Sequence, residues 1–420
     1  MERTRYLVVG AGVTGLAFAD WLRDDDYLIV EAQDEIGGHC RTVERDGFVW
    51  DYSGHFFHFR NPSIEQYLVE RMHGQRVFRV ERDSRIWYAD RFIDFPFQRH
   101  IRQLPENEYT ECVAGLESRP DAEVSNFKEM LYARYGRGIA EKFLVPYNEK
   151  LYATNLTRLD ADAMGRFFPH VTATEILGGS DAEKRDGYNV TFTYPERGAQ
   201  QYVRALAKGV GADRISVNER VVEIDIERKV AKTTKRTIHY DALVSSIALP
   251  ALLEMTGATH DPSVYSHSKV LVFNLGFDRK GLEDVHWIYY PQRELSFYRV
   301  GFYDNIFGRS RMSLYVEVGL PGDAELGDDA GASMKARVIA DLQTCGVVSG
   351  QSLVASHEVL LDPGYVHITA DSIAEAARHR ALLEERDVHS IGRYGGWTYC
   401  SIEDNIVEAR ALAERLDPRS

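Results

Sequence analysis

Val8-Val9-Gly10-Ala11-Gly12-Val13-Thr14-Gly15 decides how this chain reads. With Tyr6-Leu7 ahead of it, a short apolar run enters a Gly-x-Gly-x-x-Gly turn, as a buried parallel strand does when it feeds a helix. Gly10 permits the tight turn, Gly12 lets a diphosphate approach the backbone, and Gly15 lets the next helix pack close to the sheet. That helix would carry Leu16, Ala19, Trp21 and Leu22. Its amino end, at Val13 and Thr14, would point at the phosphates. A second strand, Tyr27-Leu28-Ile29-Val30, runs into Glu31 and Ala32. A carboxylate there can accept hydrogen bonds from the ribose hydroxyls of an adenosine. Strand, glycine turn, helix and acidic strand end together predict a bound dinucleotide.

The next segment separates FAD from NAD. Asp34-Glu35-Ile36-Gly37-Gly38-His39-Cys40-Arg41-Thr42 resembles the D-x-x-G-G-x-x-x-[ST] stretch of the large FAD-binding oxidase superfamily. Gly38 and His39 would bring a second piece of backbone to the cofactor diphosphate, and Arg41 can add charge. A strand, Phe48-Val49-Trp50-Asp51, then leads to Ser53-Gly54-His55. In that superfamily this turn lies against the flavin ring.

Composition narrows the partners. The 420 residues can bury a substantial core, and 44% hydrophobic with 27% charged residues is ordinary for a soluble globular protein. A net charge of -14 argues against a nucleic-acid partner, which requires a basic surface. A few arginines can still build a local pocket for a small anion. Cys40, Cys112, Cys345 and Cys400 form no CxxC and no zinc spacing, so they read as free thiols in a reducing, cytoplasmic setting. No run of about 20 apolar residues exists, so no membrane span is expected. The apolar run from Tyr6 mimics a signal peptide, but its glycines and Asp20 fit strand, turn and helix better.

The chain predicts an α/β fold with a discontinuous Rossmann-like FAD domain, a helical substrate domain and an antiparallel sheet domain. The FAD domain is assigned to 1–75, 185–260 and 375–420. It includes a helix over Gln200–Lys208, a strand Arg220–Ile224 in which the backbone of Val222 would pair with adenine, and a buried strand Tyr240–Ser246. Ile402, Ile406, Ala409, Ala413 and Leu416 make one face of a final helix. Residues 100–184 read as the helical domain. Residues 76–99 and 261–374 read as the sheet domain, with strands such as Val270–Phe273 and Ser313–Val316.

Taken in order, several stretches resemble the UDP-galactopyranose mutase family. They are Gly54-His55, Phe95-Pro96-Phe97-Gln98, Val145-Pro146-Tyr147-Asn148, Leu151-Tyr152, Asn189-Val190-Thr191-Phe192, Trp287 to Pro291, Phe297-Tyr298-Arg299, Gly364-Tyr365 and Arg393 to Tyr399. The resemblance implies a reaction without net redox change. Reduced flavin attacks the anomeric carbon of a nucleotide sugar through N5 and expels the nucleoside diphosphate. The sugar ring then opens and recloses in the other size. UDP-galactose is the default substrate, FAD in its reduced form the cofactor, and an external reductant such as NADPH a possible partner.

By the family pattern Arg299 and Arg393 would hold the diphosphate, with Tyr289, Tyr365 and Tyr399 adding hydroxyl donors. The base would lie among Phe95, Phe97, Gln98, Asn148 and Tyr152, where the eukaryotic-type pattern has tryptophan in place of Tyr152. Asn189 and, less directly matched, Arg166 would face the substrate. His55 would sit beside the flavin, and Ser401 and Asn405 would touch its diphosphate or ribityl chain. Plainer readings stand beside these: core packing for Phe97 and Tyr152, surface ion pairs for the two arginines, helix capping for Ser401, Asp404 and Asn405. His55 and His58 alone make a poor metal site, so no metal is expected. Two other functions compete: an FAD-dependent oxidoreductase of the amine oxidase or desaturase type on the same fold, and a flavin-binding protein without catalysis.

Overall fold

The structure is a computed structural model that describes residues 2–178, 190–327 and 329–418. Two seven-stranded sheets organise it. The first has Glu2–Val9 at its centre, parallel to Thr237–Ser245 on one side and to Tyr27–Val30 on the other. Ile215–Ser216 extends it beyond Tyr27–Val30, and Val388–Ser390 pairs parallel with the end of Thr237–Ser245. The antiparallel strands Val221–Asp225 and Val230–Thr233 complete it. All four residues of Tyr27–Val30 are buried, as a central parallel strand requires. The helix Val13–Trp21 packs on this sheet beside the final helix Ile402–Leu416, whose inward face includes Ile406, Ala409, Leu412 and Ala413.

The second sheet runs Leu353–Leu361, Ser268–Phe277, Ser313–Pro321, Arg299–Phe302, Trp287–Tyr289, Ser84–Tyr88, Arg91–Asp94. Every pairing is antiparallel except that of Trp287–Tyr289 with Ser84–Tyr88. Period-two alternation gives its central strand two different faces. Leu314, Val316 and Val318 turn to a core shared with Val338 and Leu342 of the helix Ala330–Thr344. Ser313, Tyr315 and Glu317 turn the other way, toward the first sheet, and are buried there. Val77–Glu81 departs from the sequence partition. It leaves this sheet and pairs with Thr191–Pro195, because Asp83 ends the run and Arg82 N is bonded to Val190 O.

In chain order, residues 106–152 form helices Glu106–Glu117, Phe127–Ile139 and Val145–Tyr152, the last two joined by a π-helical turn Ala140–Leu144. Gly136, at φ 70°, admits the close crossing of the first two helices, where a Cβ would lie 2.0 Å from Gly115 O. The helix Val145–Tyr152 lies against the strand Ser313–Pro321. Among the described residues no helix is long and apolar enough to cross a membrane.

Candidate active site

The glycine turn behaves as two different devices. At Gly15 an added Cβ would meet Gly10 O at 2.1 Å, so that glycine serves packing. At Gly12 it would meet nothing within 4 Å, so that glycine faces open space. Gly38, at φ 56°, brings the second glycine element to within 3.6 Å of Gly12 Cα, measured from where its Cβ would be. These segments line a cleft of about 450 Å³ with Val13, Thr14, Glu31 and His39. Glu31 is 7% exposed and accepts from Ala11 N and Gln33 N, each at 2.8 Å. A carboxylate has about four lone-pair sites, which leaves it capacity for ribose hydroxyls.

Opposite the glycines, Asn405 joins three segments. Its Oδ1 accepts from Thr14 Oγ1 at 3.1 Å and from Arg393 N at 2.7 Å, and its Nδ2 donates to Ser401 O at 2.6 Å. Asn405 thus ties the phosphate-facing helix to the turn that carries Arg393. Ser401 and Asp404 form a reciprocal capping box at the start of the last helix. Arg393 lies over the rings of Tyr399 and Tyr365, 4.6 and 5.3 Å from their centroids, and those rings stack on each other. Its Nη1 donates to Cys400 O at 3.1 Å, while its buried Nε has no protein partner.

Arg299 stands directly across from Glu317 in the strand register. Its Nε and Nη2 make a forked pair with the two Glu317 oxygens at 2.7 and 2.6 Å. Glu317 is fully buried and also accepts from Ser53 Oγ. Burial opposes both charges, but their mutual attraction wins: the Glu317 carboxyl is held below its usual range and the Arg299 guanidinium well above its own. Arg299, Gly54 and Tyr365 line both the cofactor cleft and a second, inner pocket of about 240 Å³. The two cavities therefore meet at these residues.

The inner pocket is mostly aromatic. Phe95 and Tyr289 pack at 5.2 Å between centroids, and Tyr147 meets Tyr289 edge-on at 5.2 Å. Tyr289 Oη accepts from Trp287 Nε1 at 2.8 Å. Asn148 donates to Leu144 O at 2.7 Å, and its buried Oδ1 has no partner. His55 lines the cleft. Burial first, and then the neighbouring His39, push its pKa down to about 4, so the ring is neutral at pH 7. Asp51, just before the Ser53-Gly54-His55 turn, is fully buried. It accepts from Thr42 Oγ1, Tyr194 Oη and Ala199 N, yet burial still lifts it to about 7.

Several predicted site residues lie elsewhere. Phe97 is fully buried and stacks on Phe143, so its ring is core and does not line the pocket. Tyr152 is likewise fully buried, edge-on to Tyr365 at 6.0 Å, behind the wall. Gln98 is buried and donates to Pro169 O, a step behind the lining. Arg166 grips both Asp404 oxygens at 2.5 Å and lines neither cavity. The side chain of Val222 is 52% exposed, at an irregularity in the strand register between Val221 and Glu223, and its backbone role toward adenine stays a proposal. Ser401 and Ala32 lie outside both linings. Asn189 lies outside the described residues. Sequence reading missed Glu317, whose one signal is an acid set among apolar residues in Ser313–Pro321. It also missed Arg82, which lines the inner pocket over Phe95 and Trp287.

A strand-turn-helix cradle with an open glycine, packed close beside a second glycine element along one cleft, defines a dinucleotide-binding protein. The family model of flavin containing amine oxidoreductases matches residues 13–286, and the chain belongs to that family. Its cofactor is FAD, and the open side of Gly12 and the unpartnered Arg393 Nε fit such a group. Among curated proteins it is similar to protoporphyrinogen oxidase 1 of Spinacia oleracea, 23% identical over 189 residues, or 41% of this chain and 33% of that protein. The match thus spans about a third of the relative's length. Among solved structures it is similar to reduced UDP-galactopyranose mutase, with a TM-score of 0.89, 22% identity and coverage of 98% of this chain and 93% of the other. A putative protoporphyrinogen oxidase from Exiguobacterium sp. 255-15 gives 0.78, 19% identity and coverage of 99% and 98%. At such identities the likeness is one of fold.

Proposed function

We propose that this flavoenzyme interconverts the pyranose and furanose forms of a nucleoside-diphosphate sugar, with UDP-galactose as the default substrate. The observation that carries this reading is that Arg299 and Tyr365 stand where the cofactor cleft meets the aromatic pocket, with Arg393 on the cleft side 4.6 Å over the ring of Tyr399 on the pocket side. Breaking the bond between an anomeric carbon and a diphosphate gathers negative charge on the diphosphate. Guanidinium groups held in place beforehand stabilise that charge with little reorganisation. Glu317 fixes Arg299 through two of its nitrogens, leaving Nη1 outside that pair; Asn405 fixes the backbone of Arg393. Tyr365 and Tyr399 remain protonated at neutral pH, since burial raises both, so their hydroxyls can donate.

The inner pocket supplies faces for a base. Phe95 and Tyr289 offer stacking surface, a contact worth about 1–3 kcal/mol per base. Asn148 Oδ1 offers an unused acceptor. Reduced FAD, when bound, supplies the electron-rich nucleophile. The protein's part is to hold the sugar between base and diphosphate and to keep water from the opened ring. An external reductant such as NADPH would set the flavin's state, and the cytoplasm would supply it together with nucleotide sugars.

A second reading, an FAD-dependent oxidoreductase, is favoured by the protoporphyrinogen oxidase matches. Equilibrium binding of UDP to oxidised and reduced holoprotein, with a search for flavin bleaching, separates the two. Nucleotide binding with no bleaching by the nucleotide sugar supports the mutase. Bleaching of oxidised flavin by an organic substrate, without nucleotide binding, supports the oxidoreductase.

A further inference from the structure

We infer that Tyr315 is a positioning residue that sets the height of the Ser53-Gly54-His55 turn at the flavin cleft, and that Gly54 and Gly301 are glycines to make room for its ring. Tyr315 lies on the cleft-side face of Ser313–Pro321, between Ser313 and Glu317, and is fully buried. Each of these three residues meets the segment that ends in the turn. Ser313 Oγ accepts from Trp50 Nε1 at 2.9 Å. Glu317 holds Ser53 through its hydroxyl. Tyr315 meets Gly54 itself: a Cβ there would stand 2.6 Å from both Cζ and Oη of the ring. On the ring's other side a Cβ at Gly301 would stand 1.8 Å from Cε1. No real Cβ tolerates either approach, so the ring is wedged between two strips of bare backbone.

The wedge acts by shape. Tyr315 Oη is buried with no hydrogen-bond partner, so no polar bond explains its place. The neighbouring residues of the turn are held by bonds: Ser53 through Glu317, and Asp51 N through a 3.2 Å bond to Tyr303 Oη. Gly54 lines both the cofactor cleft and the inner pocket, so its height is a boundary of each. This inference rests on the family's FAD and the geometry of the turn, and it holds whether the enzyme is a mutase or an oxidase.

The test uses FAD-loaded protein and reads flavin midpoint potential, visible absorption band, FAD content and Tm. Tyr315→Phe keeps the ring and is expected to match wild type in potential and band, with an unchanged or higher Tm because a buried unpaired hydroxyl is gone. Tyr315→Leu is expected to bind FAD with a displaced band and potential. The coupling is the sharper test. Gly54→Ala should lower FAD content and Tm in the wild-type background, yet add no further loss in Tyr315→Leu, where the far end of the ring is absent. Additive losses would overturn the wedge. So would a Tyr315→Leu protein with a lowered Tm but a wild-type band and potential, since the ring would then be only core filling. If Tyr315→Leu does not fold, Tyr315→Met, with its adaptable side chain, carries the same pair of readouts.

Discussion

Arg299 and Arg393 use different anchors, and substitutions should separate them. Arg393 is bound to the scaffold through its backbone N and through Nη1 to Cys400 O. Arg393→Ala removes the charge and leaves the Asn405 bond in place. The expected result is retained FAD with turnover down about 10- to 150-fold, the equivalent of one charged hydrogen bond of about 1.5–3 kcal/mol. FAD content and initial rate on the same sample check it, and a near-wild-type rate would remove Arg393 from the diphosphate site. Arg299 depends on Glu317, which is fully buried. Glu317→Gln should destabilise, by at most about 3–5 kcal/mol, since it leaves the partly buried Arg299 charge without its counter-ion. Tm and denaturant midpoint measure this. At this scale the sequence was informative where a residue type is rare for its task, as with Arg393 beside Tyr399. It was mute where identity does not fix direction. Phe97 and Tyr152 are as aromatic as Phe95 and Tyr289, but they sit behind the wall because their rings fill core gaps beside Phe143 and Phe127. Glu317 gave one isolated signal, since a partner across two strands leaves no mark in local spacing.

The glycine element permits a clean division between fold and cofactor. Gly15→Ala drives a Cβ to 2.1 Å from Gly10 O and should abolish soluble, folded protein. Gly12→Ala meets nothing within 4 Å and sits at φ -79°, a conformation alanine accepts. It should therefore fold with the Tm of the wild-type apoprotein and fail to retain FAD. Circular dichroism and the flavin absorbance of purified protein decide it. A Gly12→Ala protein with full FAD would show that the open side of Gly12 is not the cofactor's side. The elements around this turn were legible because local chemistry dictates them: Tyr27–Val30 is apolar throughout, and Pro250 stands in the first turn of Leu249–Thr256. The second sheet was legible as strands but not as an order. Its parallel pairing of Trp287–Tyr289 with Ser84–Tyr88 joins segments about 200 residues apart, and no turn signal encodes that.

Across the whole molecule, histidines packed partly or wholly out of water set a common pH response. His39, His55, His58 and His367 are pushed, chiefly by burial, from the ordinary 6.5 to about 4. Between those values the unfolded chain binds protons that the folded protein refuses, so acidification through that window costs stability. Asp51, lifted to about 7, and Asp304, lifted to about 6, act in the opposite direction: their contribution is present in acid and is lost as pH rises toward those values. His100, His170, His286, His357, His379 and His389 are lowered by burial too, so the histidines outweigh the two carboxylates and predict a Tm that falls as pH drops from about 6.5 to 4, which a scan of Tm against pH checks. A Tm that stays level or rises on acidification would contradict this balance.

The central claim joins the two arginines, the aromatic pocket and the FAD cleft in one reaction, and one measurement reaches all three. It is anaerobic turnover of UDP-galactofuranose by the dithionite-reduced holoprotein, followed by chromatography and compared with the oxidised protein. Conversion to UDP-galactopyranose by the reduced protein alone is the predicted result. No conversion of this or any other nucleotide sugar, with FAD bound and fully reducible, would contradict the account.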